Sequence, residues 1–322
     1  MRDGETYLIT GATSGLGLEA ARALAWDGRR RVLAGGRDPA AAAALRAAVP
    51  PERLAVLELD LGSLASVRSF AAEARRRLAR ADAPLSGIAC NAGVQLVGPM
   101  RRSAEGHELT FATNHLGHFL LVHELLDLLA PGAAVVSTAS GTHDPADGMA
   151  RRFGFRGGIF PGADAVARGE LDPSASEKQQ GMDRYATSKL CTVLFAYAMA
   201  ARVPASAARF IAFDPGLMPG TGLARDRSVV ERFGWSYVMP LIGRVVPGVS
   251  TPARSGAALA RLLAEPGLAP ATGSHFDFEL RRTPTSAFSL REDAQDDLHR
   301  VSLALCGVPE ARTVAAARAA PR

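Results

Sequence analysis

The stretch Tyr185-Ala-Thr-Ser-Lys189-Leu-Cys-Thr-Val-Leu-Phe-Ala-Tyr-Ala-Met199 is the one around which the other motifs of the chain are arranged. It is too long and too apolar for a β-strand, so the pattern predicts a buried helix. Side chains four residues apart lie on one face of a helix. We therefore expect the Tyr185 phenol and the Lys189 ammonium to converge.

The pairing of Tyr185 with Lys189 suits acid-base chemistry. A free phenol has a pKa of about 10, and a neighbouring ammonium favours the phenolate and moves that pKa towards neutrality. Such a pair can move a proton onto a carbonyl oxygen. The plainer interpretation is an ordinary helix aromatic beside a solvated lysine. Composition favours the first, because Lys178 and Lys189 are the only lysines and the chain otherwise uses arginine as its cation.

The bulk properties indicate one large α/β domain. A chain of 322 residues with 48% hydrophobic content can bury a large core. We expect a single domain over residues 1–308, with an insertion at 141–184, a lobe at 217–250 and a flexible tail at 309–322. No apolar run reaches the roughly 18 residues that a membrane span needs. The first residues run directly into a strand, so we expect a cytoplasmic protein.

The charged and metal-binding residue types exclude several classes of partner. The net charge is +5, but the arginines are scattered among 32 acidic residues, so no nucleic-acid partner is expected. The histidines of the 115–123 region have no carboxylate at ligand spacing, so no metal site is expected. Three widely spaced cysteines in apolar surroundings are expected to be buried thiols, namely Cys90, Cys191 and Cys306.

A glycine-rich turn joins the first predicted strand, Tyr7–Thr10, to a predicted helix over residues 18–26. Glycines let backbone N–H groups approach a pyrophosphate, and a helix N-terminus favours its negative charge. The structural alternative is a turn that merely needs positive φ angles. The pattern predicts a dinucleotide site formed by Gly11, Thr13, Ser14, Gly15, Leu16 and Gly17.

The end of the second predicted strand, Arg31–Ala34, indicates which dinucleotide binds. An acidic side chain at the strand tip would hold the ribose 2′-hydroxyl of NAD and repel a phosphate, whereas Gly36 and Arg37 stand here. Guanidinium recognises phosphate well. We therefore predict NADP(H) over NAD(H), with Asp38 as the feature that argues the other way.

Strands alternate with helices along the chain, which predicts an α/β fold with a Rossmann-type doubly wound parallel sheet of about seven strands flanked by helices. After the third strand, Asp60 and Leu61 would lie at the adenine edge of the cofactor, unless Asp60 instead caps the next helix. After the fourth strand, small residues let the backbone pack against a ribose. The residues expected there are Asn91, Ala92 and Gly93.

Polar residues in the second half of the chain complete the predicted site. Asn114, inside a helical pattern over residues 107–129, indicates a kink or a bound water. The fifth strand, Ala133–Ser140, ends in hydroxyls. Ser140 is the expected donor that polarises a substrate carbonyl, with Thr138 as the alternative. After the sixth strand, Pro215 and Gly216 give a sharp exit that can cover a nicotinamide.

Two segments are candidates for contacts with substrate. The insertion at 141–184 is long and rich in Gly, Pro and charge, so we interpret it as a substrate wall or lid. Residues 223–250 hold the densest group of aromatic side chains in the chain. They would form either a flexible lobe that lines an apolar pocket or part of the core.

Five motifs in this order resemble the short-chain dehydrogenase/reductase family, over about residues 5–280: Gly11-x-x-x-Gly15-x-Gly17, Asn91-Ala-Gly93, Asn114, Ser140 and Tyr185-x-x-x-Lys189. The resemblance implies that Tyr185 is the acid/base and that Lys189 lowers its pKa and holds the nicotinamide ribose. It implies that Ser140 polarises the substrate oxygen and that Asn114 orders a proton-relay water. Family members usually place a nicotinamide-binding threonine where Gly220 lies, so Thr221 would take that role.

Two branches of the family look most similar. Arg37, the run Asn114–Phe119 and the run Ser140–His143 look like the retinol dehydrogenase branch. The long insertion, the Tyr-x-x-Ser-Lys pattern and Pro215-Gly...Thr-Gly-Leu223 also look like light-dependent protochlorophyllide reductase. That group typically has a cysteine directly after the Pro-Gly, and Leu217 stands here.

These features predict an NADP(H)-dependent oxidoreductase that interconverts a carbonyl and an alcohol on a bulky, mostly apolar small molecule. The alternatives are a light-dependent C=C reductase of a tetrapyrrole and a non-catalytic NADP(H)-binding redox sensor. A homodimer or homotetramer is left open, because helices near residues 117–129 and 190–201 could form the paired contacts common in the family or be blocked by insertions.

Overall fold

A computed structural model describes residues 4–26, 28–81, 83–218, 248–265 and 272–310. Seven strands form one parallel sheet in the order β3-β2-β1-β4-β5-β6-β7. The strands are β1 (Thr6–Thr10), β2 (Arg31–Gly36), β3 (Leu54–Glu58), β4 (Leu85–Cys90), β5 (Leu129–Thr138), β6 (Ala208–Asp214) and β7 (Ser274–Asp277). The predicted Rossmann-type sheet is confirmed. The strand order reverses between β1 and β4, and this is where such sheets bind ligands.

Helices cover both faces of the sheet. They are α1 (Gly15–Ala25), α2 (Ala43–Ala48), α3 (Leu64–Ala81), α4 (Leu109–Phe111), α5 (Gly117–Leu125), α6 (Gly148–Arg152), α7 (Ala163–Arg168), α8 (Glu177–Arg202), α9 (Pro252–Ala264) and α10 (Glu292–Cys306). One apolar cluster joins the sheet to α1, α2 and α9, and a second joins it to α3, α5, α8 and α10. The central strands are apolar on both faces because helices cover both.

Several predicted boundaries were wrong for local reasons. Helix α1 begins at Gly15 rather than at Leu18, so the last part of the glycine-rich turn is the first turn of the helix. Helix α8 begins at Glu177, because the Ser176 hydroxyl accepts a hydrogen bond from the Gln179 N–H at 3.3 Å and caps the helix. The end of the predicted insertion is therefore helical. Strand β5 ends at Thr138, two residues before Ser140.

The C-terminal helix α10 is an element that the sequence patterns did not reveal. Its Ser302 hydroxyl lies 2.8 Å from His115 Nε2, and the rings of His299 and Phe119 lie 5.5 Å apart. Arg202, at the end of α8, pairs with Asp296 of α10 at 2.6 Å. The helix therefore covers sides of α5 and α8 that the sequence left open for paired contacts between subunits.

Other predicted features can be compared directly with the structure. The three cysteines are buried and unpaired, as predicted. Among the described residues, no helix has the length and hydropathy needed to cross a bilayer. Residues 219–247, which hold most of the predicted substrate lobe and Thr221, lie outside the described ranges, as do residues 311–322 of the predicted tail. These predictions stay predictions.

Gly256 tests the close packing of α1 against α9. Alanine normally stabilises a helix interior relative to glycine. Here a Cβ at position 256 would lie 2.5 Å from Glu19 Cβ and 2.8 Å from the Ala20 backbone nitrogen. We expect Gly256→Ala to destabilise the fold by about 1–3 kcal/mol, measured by urea unfolding. Gly148→Ala is the control, since nothing lies within 4 Å of its Cβ position. Equal stability of the two variants would contradict the packing.

Candidate active site

The carboxyl ends of the parallel strands lie at one edge of the sheet, and the predicted site residues follow four of these ends. Gly11 follows β1, Asn91 follows β4, Ser140 lies just beyond β5, and Pro215 follows β6. The turns after β1 and β4 are neighbours in space because these two strands pair with each other. A crevice at this edge is where open α/β sheets bind dinucleotides.

The glycine-rich turn has the geometry of an anion site. Gly11 and Gly15 have φ angles of 69° and 56°, in the left-handed region that favours glycine. A Cβ on Gly17 would lie 2.5 Å from the Gly11 carbonyl oxygen, so the turn closes tightly. Nothing lies within 4 Å of the Cβ position of Gly15. The N-terminus of α1, which has no acidic residue in its first turn, is therefore unobstructed at Gly15, as an anion site requires.

The end of β2 is open on the side where a ribose phosphate is expected. Gly36 ends the strand and Arg37 is exposed directly after it. The Asp38 carboxylate accepts a hydrogen bond from the Ala40 N–H at 2.8 Å. Asp38 therefore stabilises its own turn, which removes the main argument for NAD and favours a phosphate beside Arg37.

The two interpretations of Asp60 are separated by its hydrogen bonds. Its Oδ1 accepts from the Gly62 N–H at 2.9 Å, within a turn. The hydroxyl of Ser63 accepts from the Ser66 N–H at 3.3 Å and caps α3. The capping alternative for Asp60 was therefore wrong. Asp60 is exposed and Leu61 is buried at this edge of the crevice.

Asn91 and Ala92 join the ends of β4 and β1. The Asn91 amide donates to the Thr10 carbonyl at 2.8 Å. The backbone N–H groups of Asn91 and Ala92 donate to Thr10 Oγ1 at 2.9 and 3.0 Å. Gly93 is exposed, and a Cβ there would lie 3.2 Å from Asn114 Oδ1 and 3.7 Å from Lys189 Nζ. The Asn-Ala-Gly motif therefore ends beside Asn114 and Lys189, two of the predicted catalytic residues.

Asn114 lies in a π-helical segment, Ala112–Leu116, between α4 and α5. Its Oδ1 accepts from the Val94 N–H at 2.8 Å, and its Nδ2 donates to the Val94 carbonyl and to Ser188 Oγ, each at 2.9 Å. The sequence pattern indicated an interruption at this residue. In the structure, the side chain ties the loop after β4 to helix α8.

His118 is a positioning residue that sequence reasoning missed. Its Nδ1 donates to the Asn114 carbonyl at 3.1 Å, and its Nε2 lies 2.9 Å from Thr10 Oγ1. Burial lowers the pKa of His118 to about 4, so the ring is neutral near pH 7 and Nε2 accepts from Thr10. A histidine four residues after the helix asparagine was the available sequence signal.

Tyr185 and Lys189 are both buried on α8, with exposed fractions of 6% and 5%. Lys189 Nζ lies 5.8 Å from the centre of the Tyr185 ring and donates to the Thr138 carbonyl at 2.7 Å. Burial lowers the pKa of Lys189 to about 8, and the charge of Asp214 works in the opposite direction. Helical spacing thus brings phenol and ammonium to one side of the helix, beside the end of β5.

Ser140 lies in the turn that follows β5. Its hydroxyl accepts from the Thr142 N–H at 3.3 Å, and its carbonyl accepts from His143 Nδ1 at 2.7 Å. Ser140 is partly exposed, whereas the Thr138 hydroxyl is buried without a hydrogen-bond partner among the described residues. This placement favours Ser140 over Thr138 as the donor to a substrate oxygen. His143, which the patterns did not single out as functional, holds the Ser140 backbone.

The predicted insertion forms an apolar wall beside Tyr185. Phe155, Met182 and Tyr185 belong to one buried cluster, and the Phe155 and Tyr185 ring centres lie 6.0 Å apart. The Ile159 backbone N–H donates to Thr187 Oγ1 at 2.9 Å, and that hydroxyl donates back to the Ile159 carbonyl at 3.1 Å. Arg156 pairs with the buried carboxylate of Asp183. These bonds hold the segment along α8 as a wall.

Pro215 and Gly216 form the turn that follows β6. Gly216 has a φ angle of 72°, and a Cβ there would lie 2.6 Å from the Phe278 ring, so the turn requires glycine. The Pro215 carbonyl accepts from Ser255 Oγ at 2.7 Å.

Among the described residues, no group of three His, Cys, Asp or Glu side chains could hold a metal ion.

Comparison with known proteins indicates the family and the fold. A family model described as short chain dehydrogenase matches residues 5–149. Protochlorophyllide reductase A from Triticum aestivum is 34% identical over 281 residues, covering 81% of this chain and 69% of that protein. Two solved structures share the fold. An NADPH-bound carbonyl reductase from chicken fatty liver has a TM-score of 0.61 at 17% identity, covering 88% of this chain and 100% of its own. A metagenomic blue fluorescent protein in complex with NADPH has a TM-score of 0.59 at 18% identity, covering 85% and 95%.

Gly15 tests where the dinucleotide lies. We expect Gly15→Ala to weaken NADPH binding by about tenfold or more, because the added methyl group enters the space in front of the α1 N-terminus. The measurement is a fluorescence titration of NADPH. Gly106→Ala is the matched control, because Gly106 also has a positive φ angle, 86°, and nothing within 4 Å of its Cβ position. Both variants should lose similar stability, about 1–2 kcal/mol. Equal NADPH affinity would contradict this placement.

Proposed function

Since the chain belongs to the short-chain dehydrogenase/reductase family, we propose that it is an NADP(H)-dependent oxidoreductase that interconverts a carbonyl and an alcohol on a bulky, mostly apolar small molecule. The observation that carries the proposal is the placement of Tyr185, Lys189 and the Ser140 turn around the end of β5. The open α1 N-terminus and the exposed Arg37 support NADP(H) as the cofactor.

Each side chain has a distinct task in this chemistry. When bound, NADP(H) supplies or accepts the hydride. In the reductive direction, the Ser140 and Tyr185 hydroxyls donate hydrogen bonds to the substrate oxygen, and Tyr185 delivers the proton as negative charge develops there. The Lys189 ammonium, held by the Thr138 carbonyl, favours the phenolate that remains. The oxidation direction uses the same groups in reverse.

The wall beside Tyr185 supports the proposed substrate class. Phe153, Phe155, Met182 and Val97 surround the tyrosine with apolar surface. Ligand sites of this kind bind mostly apolar molecules and fix their orientation with a few polar groups, here Ser140 and Tyr185. A bulky ring or polyene with one carbonyl or hydroxyl group fits this description.

Light-dependent reduction of a C=C bond in a tetrapyrrole is a second candidate. The relative from Triticum aestivum, named protochlorophyllide reductase A, favours it. Leu217, which follows Pro215-Gly216 where that group typically has a cysteine, argues against it. The two candidates share the cofactor and the tyrosine, so they are separated by the substrate and by the requirement for light.

Tyr185 is the residue that tests the acid-base assignment. We expect Tyr185→Phe to reduce kcat by about 10²-fold or more, because the proton donor is lost, while NADPH binding remains. NADPH consumption is followed by absorbance on a panel of apolar ketones and aldehydes. Tyr197→Phe is the control, because Tyr197 lies on the same helix and its hydroxyl contacts Thr285 at 3.0 Å.

The outcomes of this assay separate the candidates. Activity of Tyr185→Phe near the wild-type level would refute the assignment. Turnover of protochlorophyllide only under illumination would support the second candidate. NADPH binding without turnover on either class of substrate, in light or dark, would support the non-catalytic redox sensor.

Arg37 tests the choice of cofactor. We expect Arg37→Ala to weaken NADPH binding by about tenfold or more, because a charge-assisted hydrogen bond to phosphate is worth about 1.5–3 kcal/mol. The affinity for NADH, which has no such phosphate, should hardly change. Arg46→Ala is the control, since Arg46 lies nearby on α2 and bonds the Pro39 carbonyl. An equal loss of affinity for both cofactors would contradict the assignment.

A further inference from the structure

Asp214, the last residue of β6, joins two turns of the site. Its Oδ1 accepts from the Gly216 N–H at 2.9 Å. The carboxylate also lies beside Gly141, the residue directly after Ser140: a Cβ on Gly141 would lie 3.4 Å from Asp214 Oδ2, and the Gly141 N–H lowers the pKa of Asp214. One side chain therefore connects the turn after Ser140 to the Pro215-Gly216 turn. Sequence patterns did not assign it a role, because it looks like the ordinary acidic end of a strand before Pro-Gly.

A second carboxylate lies beside the same glycine. A Cβ on Gly141 would lie 2.6 Å from Asp147 Oδ2 and 3.4 Å from Asp214 Oδ2. Asp147 has its own structural task, because its Oδ1 accepts from the Ala150 N–H at 2.7 Å and caps α6. The two acids therefore flank Gly141, and Asp214 is the one that also bonds the Pro215-Gly216 turn.

The nearby cation is Lys189. Its ammonium is buried and donates a hydrogen bond to the Thr138 carbonyl. Thr138, whose carbonyl accepts from Lys189, is paired with Phe213 across β5 and β6. Asp214 is the next residue after Phe213. A buried ammonium is costly unless an opposite charge compensates for it. The charge of Asp214 opposes the effect of burial on the pKa of Lys189.

We propose that Asp214 is a positioning residue of this enzyme: its carboxylate is the counter-charge that keeps Lys189 protonated, and it fixes the Ser140 turn against the Pro215-Gly216 turn. The proposal rests on the proposed function, because the protonated Lys189 matters there as the group that favours the Tyr185 phenolate. A chain in which Asp214 only shaped the turn would lose activity equally at every pH.

Other titratable groups face this pair. His143 and Asp147 lie near Asp214, and His118 and Tyr185 lie near Lys189. Burial raises the pKa of Asp214, and the Asp147 charge adds to this, whereas the N–H groups of Gly216 and Gly141 and the charge of His143 lower it. His143 donates from Nδ1 to the Ser140 carbonyl and accepts at Nε2 from the Ser286 N–H. His143 therefore orients the turn through these two contacts.

The pH dependence has a defined sign. Lys189 is an ammonium below its pKa of about 8 and a neutral amine above it. Removing a negative charge from its surroundings makes the ammonium less favourable and lowers this pKa. In a variant without the Asp214 charge, the active protonation state should therefore be lost at lower pH than in the wild type.

The experiment exploits the presence of only two lysines in the chain, Lys178 and Lys189. Protein labelled with 13Cε-lysine gives two side-chain NMR signals, and Lys178→Arg assigns them. We expect the Lys189 signal of the wild type to titrate near pH 8. In Asp214→Asn its midpoint should fall by about one pH unit or more. The exposed Lys178 serves as the internal reference.

Two further variants separate charge from shape. Asp147→Asn keeps an N-cap for α6 and removes an equal charge beside Gly141, and the Lys189 midpoint should not fall. Asp214→Glu keeps the charge and should keep the midpoint near that of the wild type, even where altered hydrogen bonds reduce kcat. An unchanged Lys189 midpoint in Asp214→Asn, or an equal fall in Asp147→Asn, would overturn the proposal.

The kinetic readout tests the consequence for turnover. In Asp214→Asn, the high-pH limb of the kcat/KM profile for NADPH-dependent reduction should move to lower pH together with the Lys189 midpoint. A uniform loss of kcat/KM without movement of this limb would overturn the proposal. Should the wild type reduce no substrate, the proposed function fails, and the NMR midpoints still decide whether Asp214 is the counter-charge.

Discussion

The site depends on one buried ammonium held at the end of the central sheet. Lys189 Nζ donates to the Thr138 carbonyl at 2.7 Å, and this bond fixes helix α8 against β5. A buried lysine of this kind is unfavourable unless its N–H groups and its charge are satisfied. The Thr138 carbonyl, the negative charge of Asp214 and the Tyr185 ring, whose centre lies 5.8 Å from Lys189 Nζ, meet that need.

The crevice around this ammonium is held by hydrogen bonds between residues far apart in sequence. Thr10 Oγ1 accepts hydrogen bonds from the backbone N–H groups of Asn91 and Ala92. His118 bonds both Thr10 Oγ1 and the Asn114 carbonyl. Asn114 in turn bonds Ser188 on α8. The end of β1, the loop after β4 and helix α8 therefore form one connected network. Such a network fixes the relative positions of groups that must act together.

Much of the site was predictable because it depends on local spacing. A spacing of four residues on one helix suffices to bring Tyr185 and Lys189 together. Glycines between a strand and a helix suffice to indicate an anion site. The errors came from contacts that spacing does not encode. Asp60 was a candidate cap, yet Ser63 caps α3, and helix α10 had no motif to reveal it. The roles of His118 and His143 depend on acceptors in distant segments.

The sequence by itself determined the parallel sheet, the order of its motifs and the helical pairing of phenol with ammonium. These follow from periodicity and from the backbone freedom of glycine, which act over a few residues. The tertiary structure alone decided that the insertion lies along α8 as a wall, that α10 covers α5 and α8, and that Asp214 follows the residue paired with Thr138, whose carbonyl binds Lys189. Burial and electrostatic pairing depend on which distant segments meet, and only the packed sheet brings those segments together.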